Sequence, residues 1–355
     1  PLPVVPVESL SKNQSHEVVV TLLESISKHL TEPQMQLLLK KHDSTSALYL
    51  CVCVEELHLG GDFGFDGQVI NQMIAAFPGR LEALFDQVLE RLEYELDVFC
   101  DSHHTEGEKE RLKNGYHRHS ETGKPARIHG RAIVEHALSL LACSRNGLYE
   151  SDLLKMVCPK NWTFGDSLPP IIWSRIYHAI EPYLRKRGQR QIDQGMISIS
   201  QRGFAKAVCR RYMPMDTPES ILLTRCRYKQ LADFMLEFSG VKNYAHWSPI
   251  FEDDSTHKRR HMITAFQDVA YYQIRALDIK GLRDATLGNL AFLKMAGRMD
   301  RNNTDESAGN VLVSLIHHYK SALNVMGTTE PSDLQMVMGA AGTTRREVVW
   351  WLQGM

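Results

Sequence analysis

The segment from Leu138 to Tyr183 reads LSLLACSRNGLYESDLLKMVCPKNWTFGDSLPPIIWSRIYHAIEPY and contains three helical patterns. The turn signal Arg145-Asn146-Gly147 separates the first two patterns, and Ser151 and Asp152 offer side chains that can cap a helix start. Pro169-Pro170 can open the third helix, because proline is tolerated in a first helical turn. The apolar positions of this third helix are Ile171, Trp173, Ile176, Tyr177 and Ile180. The segment therefore predicts a helix-turn-helix followed by a long third helix.

A β-hairpin is predicted directly after these helices. Residues 185–191, RKRGQRQ, form a basic strand, and residues 196–200, MISIS, alternate apolar and polar side chains as a half-buried strand does. Turn-forming residues near Asp193-Gln194-Gly195 separate the two strands. Three helices and a hairpin predict a winged helix, which we assign to residues 128–213.

The overall composition is that of an ordinary globular protein. The chain has 355 residues, of which 43% are apolar and 23% are charged, so two or three domains with apolar cores are expected. Its 41 basic and 42 acidic residues give a net charge of -1, which provides no overall attraction to nucleic acid. The longest apolar run, Ala47 to Val54, is shorter than the roughly 20 residues that a membrane helix needs. We therefore expect no association with a membrane.

The seven cysteines are scattered along the chain, and none of them forms a CxxC pair. Reduced thiols in a cytoplasmic protein are the simplest interpretation of this pattern. The chain also begins without a methionine, in the proline-punctuated stretch Pro1 to Val7. We expect it to be a fragment that starts inside a larger domain.

Helical periodicity dominates the first hundred residues, and the predicted fold class is mainly α. Amphipathic patterns predict a helical subdomain at residues 1–99, with helices at Ser15–Leu30, Gln34–Lys41, Ala47–Leu59, Gln68–Ala76 and Arg80–Phe99. The last of these is expected to direct its polar residues outward, namely Glu82, Asp86, Glu90, Arg91 and Glu93.

Two further regions complete the predicted organisation. Residues 100–127 are polar and rich in histidine, which indicates a linker or an insertion. Residues 214–355, which begin with a long helix from Glu219, predict a C-terminal helical domain leading towards a repeat array. The predicted order is thus a helical subdomain, a linker, a winged helix with a small hairpin, and a helical domain.

No motif with a distinctive chemical spacing occurs in the chain. The nearest stretch to a phosphate-binding loop ends in Gly123-Lys124-Pro125 and lacks the hydroxyl that holds magnesium. The apolar run before Glu55-Glu56 has two interpretations, a strand with a magnesium-binding acidic end or a buried helix, and the helix is favoured. Zinc binding by the cysteine and histidines of residues 100–129 is disfavoured, because their spacing matches no zinc finger. We expect neither catalytic residues nor a metal or cofactor site in this chain.

The predicted hairpin carries a basic cluster, Arg185, Lys186, Arg187 and Arg190. Such a cluster can contact nucleic acid or an acidic protein partner. The third helix argues against nucleic acid, because only Arg175 and His178 are expected to be exposed there, while Trp173 and the isoleucines are predicted to be core. Contact with a protein is therefore favoured.

Several stretches resemble one family of signalling proteins. The first are Pro3–Ser9, the helix ending Lys28-His29-Leu30, Ala47–Leu50 running into Glu55-Glu56-Leu57, and Leu89–Glu93. The more specific ones are Leu140–Arg145 with Gly147-Leu148, Leu168-Pro169-Pro170 with Trp173-Ser174-Arg175, Phe204 with Ala207-Val208 and Arg211-Tyr212, and Leu231–Phe234. Over about residues 1–320, the chain resembles STAND-class signalling NTPases of the NACHT-and-WD-repeat and NACHT-and-tetratricopeptide type.

The resemblance implies that residues 1–99 are the helical C-terminal part of a NACHT module whose phosphate loop and magnesium site lie upstream. ATP or ADP with magnesium would then bind to the parent protein and not to this chain alone. Residues near the nucleotide would be Ser46 and Ala47, where relatives often have a proline, and Gln201, where relatives usually have a histidine. Gln201 can donate a neutral hydrogen bond to a diphosphate but supplies no positive charge.

The resemblance also implies a function. The chain would be a non-catalytic regulatory and scaffold segment of a nucleotide-switched NTPase in the cytoplasm. Its partners would be the upstream NTPase core, a downstream repeat domain and other proteins. The alternative, from the winged helix alone, is a nucleic-acid-binding module.

Overall fold

The structure is a computed structural model, and it is mainly helical with one small antiparallel sheet. It describes residues 9–60, 67–102, 130–158, 167–187, 196–238 and 268–286. Most of the predicted linker, the turn at residues 193–195 and most of the C-terminal domain lie outside these ranges. The zinc interpretation of residues 100–129 lies there too. The predicted start of the linker at residue 100 is wrong, because the helix that begins at Leu81 continues to Ser102.

Five helices form the first part of the chain, as the periodicity predicts. They are α1 (Lys12–Ser25), α2 (Glu32–Leu39), α3 (Ala47–Gly60), α4 (Gly67–Ala76) and α5 (Leu81–Ser102). Side chains cap two of the helix starts. Ser11 and Gln14 form a reciprocal capping box at α1. At the start of α5, the Asp43 carboxylate accepts a hydrogen bond from Leu81 N at 2.8 Å. The apolar run before Glu55-Glu56 is therefore a helix, and the strand interpretation is wrong.

Helix α1 ends earlier than the predicted Leu30. Ser27 has a φ of 55°, its N–H donates to Glu24 O at 3.0 Å, and Lys28 N donates to Leu23 O at 2.9 Å. These two bonds form a Schellman motif, which terminates a helix at a left-handed residue. Glycine usually occupies that position, and a serine there does not signal the end of a helix.

The central part of the chain has the predicted helices and hairpin. Its elements in order are α6 (Gly130–Cys143), β1 (Leu148–Tyr149), α7 (Glu150–Val157), α8 (Pro170–Ile180), a 3-10 turn (Glu181–Tyr183), β2 (Leu184–Arg187), β3 (Met196–Ile199) and α9 (Arg202–Tyr212). The strand order is β1-β3-β2, so the hairpin prediction is confirmed. The short strand β1 was not predicted; Leu148 pairs with Ile197, and Tyr149 with Met196.

Helix α8 buries three of its five predicted apolar positions; Tyr177 is half-buried, and Ile171 is exposed. Trp173, Ile176 and Ile180 are all buried, which confirms the core assignment of the tryptophan. Ile171 is 58% exposed, so its predicted core position is wrong. The reason is geometric: two residues along an α-helix correspond to a rotation of about 200°, so Ile171 faces away from Trp173.

The described C-terminal residues are helical. Helix α10 (Pro218–Phe238) confirms the predicted long helix from Glu219; residues 268–276 are helical, and α11 (Ile279–Ala285) follows. The buried Asp268 accepts hydrogen bonds from Asn146 at 3.1 Å and pairs with Arg145 at 3.4 Å. The predicted turn at residues 145–147 is thereby attached to the helix at 268–276. Gly147 has a φ of 100°, a conformation that glycine adopts without strain.

The chain divides into two compact units. The first comprises Pro1–Leu138, Val157–Arg185 and Ile199–Tyr212, and the second comprises Ser139–Met156, Lys186–Ser198 and Met213–Met355. The predicted domain boundaries, at residues 99, 127 and 213, stay predictions. Everything described below as the candidate site lies within the first unit.

Candidate functional site

Gln201 lies between the hairpin and helix α9. Its backbone carbonyl accepts a hydrogen bond from Ala205 N at 3.0 Å, which makes it the residue before the first turn of α9. Its side chain is half-buried and lines a cleft in the first unit. Gln201 is thus partly exposed at the edge of this cleft, and its proximity to a nucleotide stays a prediction.

The cleft has a volume of about 290 Å³ and is formed by four elements. The end of α1 and one face of α3 form its main walls, and the 3-10 turn and Gln201 complete it. Its apolar lining residues are Leu22, Ile26, Leu48, Val52, Val54 and Pro182. The apolar walls suit the apolar part of a small ligand.

Six polar residues also line the cleft: Ser25, Cys51, Glu55, His58, Tyr183 and Gln201. The side chains of Glu55, His58 and Gln201 make no hydrogen bond or ion pair with any residue in the described ranges. Tyr183 is buried, and within the same ranges its hydroxyl has no hydrogen-bond partner. Hydrogen-bonding capacity is therefore left unused around the cleft.

The electrostatics of the cleft are negative. Among the residues that the structure describes, the lining includes the Glu55 carboxylate but no lysine or arginine. Burial raises the pKa of the Cys51 thiol, and the charge of Glu55 raises it further. Burial also raises the pKa of Tyr183; the charges of Glu56 and Glu55 add to this rise, and Arg91 opposes it. Burial is the largest cause of both shifts, and the nearby carboxylates add to it.

Glu56, the neighbour of Glu55, is fully paired. Its carboxylate accepts from Arg91 Nε and Nη2, both at 2.8 Å, and Arg91 also contacts Glu95 at 3.0 Å. Glu56 is 5% exposed, so this bidentate pair joins α3 to α5 in a largely buried place. Of the two adjacent glutamates, Glu56 is paired with an arginine, whereas Glu55 has no side-chain partner in the described ranges.

A second ion-pair cluster surrounds Glu93 on α5. Its carboxylate accepts from Arg211 Nε at 2.7 Å and Nη2 at 3.0 Å, and from the Tyr212 hydroxyl at 2.7 Å. Arg131, near the start of α6, lies 3.6 Å away. We call these four residues the Glu93 cluster; it joins α5 to α6 and α9.

Further charged and aromatic contacts join α5 to α9 and to the 3-10 turn. Burial raises the pKa of Glu93, but the hydrogen bonds from Arg211 and Tyr212 and the charges of Arg211 and Arg131 outweigh burial, and the net pKa is lowered. Arg210 adds an ion pair with Asp86, in which a single nitrogen, Nη2, donates to both carboxylate oxygens at 2.8 and 2.9 Å. The Phe85 ring contacts Phe204 and Tyr183 edge-on, both at 5.6 Å between ring centroids.

The Glu93 cluster was not predicted from the sequence. Glu93 and Arg91 were predicted to point outward, but Glu93 is 6% exposed and the Arg91 side chain is 19% exposed. The signal existed for Glu93, which lies four residues after Leu89 and three before Leu96 and so shares their apolar face. A carboxylate on that face requires partners, and Arg211 is 118 residues away in sequence.

The other predicted site residues are placed as follows. Ser46 precedes α3 and accepts from Leu50 N at 3.2 Å, Ala47 is exposed, and neither residue lines the cleft. Arg185 is exposed. The side chains of Lys186 and Arg187, and all of Arg190, lie outside the described part of the structure. Of the predicted site residues that the structure describes, only Gln201 lines the cleft.

No protein-family model matches the chain, and neither does any curated protein or solved structure. Among the residues that the structure describes, no group of three or more histidine, cysteine, aspartate or glutamate side chains is arranged to hold a metal ion. None of the helices in those ranges is sufficiently long and apolar to cross a membrane. The family resemblance therefore rests on the sequence stretches alone.

Proposed function

We propose that this chain is a non-catalytic regulatory and scaffold segment of a nucleotide-switched signalling NTPase of the STAND class. In this proposal the segment couples an upstream NTPase core, which binds ATP or ADP with magnesium, to downstream repeats and to protein partners in the cytoplasm. Ser46, Ala47 and Gln201 remain the proposed residues near the nucleotide.

The order of the central elements supports a winged helix within this segment. Helix, strand, helix, helix, strand, strand, with the last strand central in the sheet, is the arrangement expected for such a module. Helix α8 would be its third helix, the one that reads DNA in helix-turn-helix proteins.

Helix α8 is partly occupied by a contact within the chain. The Arg175 guanidinium lies 3.9 Å from the centroid of the Phe99 ring on α5, which is a cation–π contact. Arg175 is one of the two residues expected to read bases, so this contact favours packing over nucleic-acid recognition.

The observation that carries the proposal is the Glu93 cluster. It connects α5, in the predicted helical subdomain, with α6 and α9, in the predicted winged helix. A buried carboxylate that loses its partners is strongly destabilised, so a change in the position of α9 would be resisted until the cluster breaks. Such an all-or-none contact is suited to a switch between two arrangements.

Hydrogen exchange tests this proposal on the chain extended by its natural upstream sequence. With ADP and magnesium bound, we expect slower exchange of the α9 amides, and a smaller difference in Glu93→Gln. Equal exchange of α9 with and without bound nucleotide, or no nucleotide binding, would contradict the proposal.

A mobility shift with duplex DNA, repeated across salt concentrations, tests the alternative. We expect no shift. Tight binding with a steep loss of affinity as salt increases would favour the nucleic-acid-binding module instead.

A further inference from the structure

Glu55 is a half-buried carboxylate that lines the cleft beside apolar side chains, and it has no cationic partner among the described residues. Burying a charge without a partner is unfavourable. Glu56, the neighbour of Glu55, has a partner, because its carboxylate pairs with Arg91. Helix α3 therefore presents one satisfied carboxylate to α5 and one unsatisfied carboxylate to the cleft.

The rest of the polar lining can accept or donate single hydrogen bonds. Gln201 offers a carbonyl oxygen and an amide group, and Tyr183, a buried residue, offers its hydroxyl. His58 is exposed, and within the described ranges it is the only lining residue that can acquire a positive charge. The lining thus suits a ligand that brings a positive charge and N–H donors, and it offers no fixed cation to a phosphate or carboxylate.

We infer that this cleft binds a small organic cation, in which an ammonium or guanidinium group pairs with Glu55 and a short apolar body lies against α1 and α3. The volume of about 290 Å³ is at the lower end of the range for small-molecule sites, which favours a compact ligand. Gln201 and Tyr183 would accept or donate the remaining hydrogen bonds. This inference does not rest on the proposed function, because it requires neither a nucleotide nor an upstream core.

The test compares three ligands of similar shape and different charge with the 355-residue chain at neutral pH. The probes are 2-phenylethylamine, 2-phenylethanol and 3-phenylpropionate, with ADP as a fourth ligand. Binding is measured by isothermal titration, and the site is located by the amide NMR shifts of Cys51 and Gln201. We expect the amine to bind about tenfold more tightly than the alcohol, as one charge-assisted hydrogen bond implies. The carboxylate and ADP should not bind in the cleft.

Two variants identify the carboxylate. Glu55→Gln keeps the size of the side chain and removes its charge, so it should reduce the affinity for the amine to that for the alcohol. Glu24→Gln is the matched control, because Glu24 is exposed on α1 and does not line the cleft. It should leave both affinities unchanged.

Several results would overturn the inference. These are equal binding of the amine and the alcohol, tighter binding of ADP or the carboxylate, no binding of the amine at the limit of its solubility, or unchanged amine binding in Glu55→Gln. Circular dichroism of each variant establishes that the helices are retained, so that a loss of binding reports on the site.

Discussion

The Glu93 cluster and the cleft beside Gln201 lie in the same unit and are built from similar side chains, but they differ in how far their polar groups are satisfied. Around Glu93, one carboxylate accepts three hydrogen bonds from Arg211 and Tyr212. Around the cleft, Glu55 and Gln201 have no side-chain partner within the described ranges. The first arrangement fixes helices in place, and the second leaves capacity for a ligand.

Position on a helix accounts for the difference. Glu55 and Glu56 are separated by about 100° around α3, so one faces the cleft and the other faces α5. Glu56 meets Arg91 there. A polar group in this fold becomes structural when α5 covers it, and it remains available when it faces the gap between α1 and the 3-10 turn.

The largest expected effect is the loss of stability when the buried apolar residue Trp173 is truncated. This loss is the reference for the smaller effects expected at the Glu93 cluster. Trp173 is 3% exposed, so Trp173→Ala removes a buried aromatic side chain and leaves a cavity. We expect a loss of about 3 to 5 kcal/mol in the free energy of unfolding. Urea denaturation of the purified chain measures this loss. A midpoint equal to that of the wild type would show that the tryptophan does not contribute to the core.

The second prediction concerns the Glu93 cluster itself. Glu93→Gln keeps one acceptor but removes the charge beside Arg211, and we expect it to cost about 2 to 3 kcal/mol. Glu95→Gln is the matched control. Its side chain is 52% exposed, against 8% for Glu93, and its pair with Arg91 is a surface pair worth about 0.5 kcal/mol. If the two variants lost the same stability, the cluster would be no more than a surface contact.

The third prediction concerns the pH dependence of the stability that Glu93 contributes. The pKa of Glu93 is lowered in the folded state, so its contribution to stability is present above the unfolded-state value of about 4.3 and is lost as pH falls through the folded pKa. The loss of stability in Glu93→Gln relative to wild type should therefore shrink below pH 4. A difference that is constant from pH 7 to pH 3 would contradict the ionised state of Glu93.

Much of this fold could be predicted from helical periodicity. Helix α3 begins at the predicted Ala47 and ends one residue after the predicted Leu59. The end of α1 could not be predicted, because Ser27 adopts the left-handed conformation that glycine usually signals. Strand β1 has two residues, which is too short to show a period of two.

The candidate site was less predictable than the fold. Gln201 was found through a family resemblance, and its cleft depends on α1 and α3, which are more than 140 residues earlier in the chain. The partners of a charged residue depend on tertiary contacts. Neither the pairing of Glu56 with Arg91 nor that of Glu93 with Arg211 is visible in the local sequence.

The smallest expected effect concerns Gln201, which lines the cleft. Gln201→Ala should change the free energy of unfolding by less than about 0.5 kcal/mol, because its side chain has no partner to lose in the described structure. The adjacent Ser200 is the matched control, since its hydroxyl donates to Tyr183 O at 3.0 Å and Ser200→Ala should cost about 1 kcal/mol. Thermal and urea unfolding of both variants give the comparison. A greater loss in Gln201→Ala than in Ser200→Ala would mean that the glutamine is a structural residue, and that the cleft beside it is closed in solution.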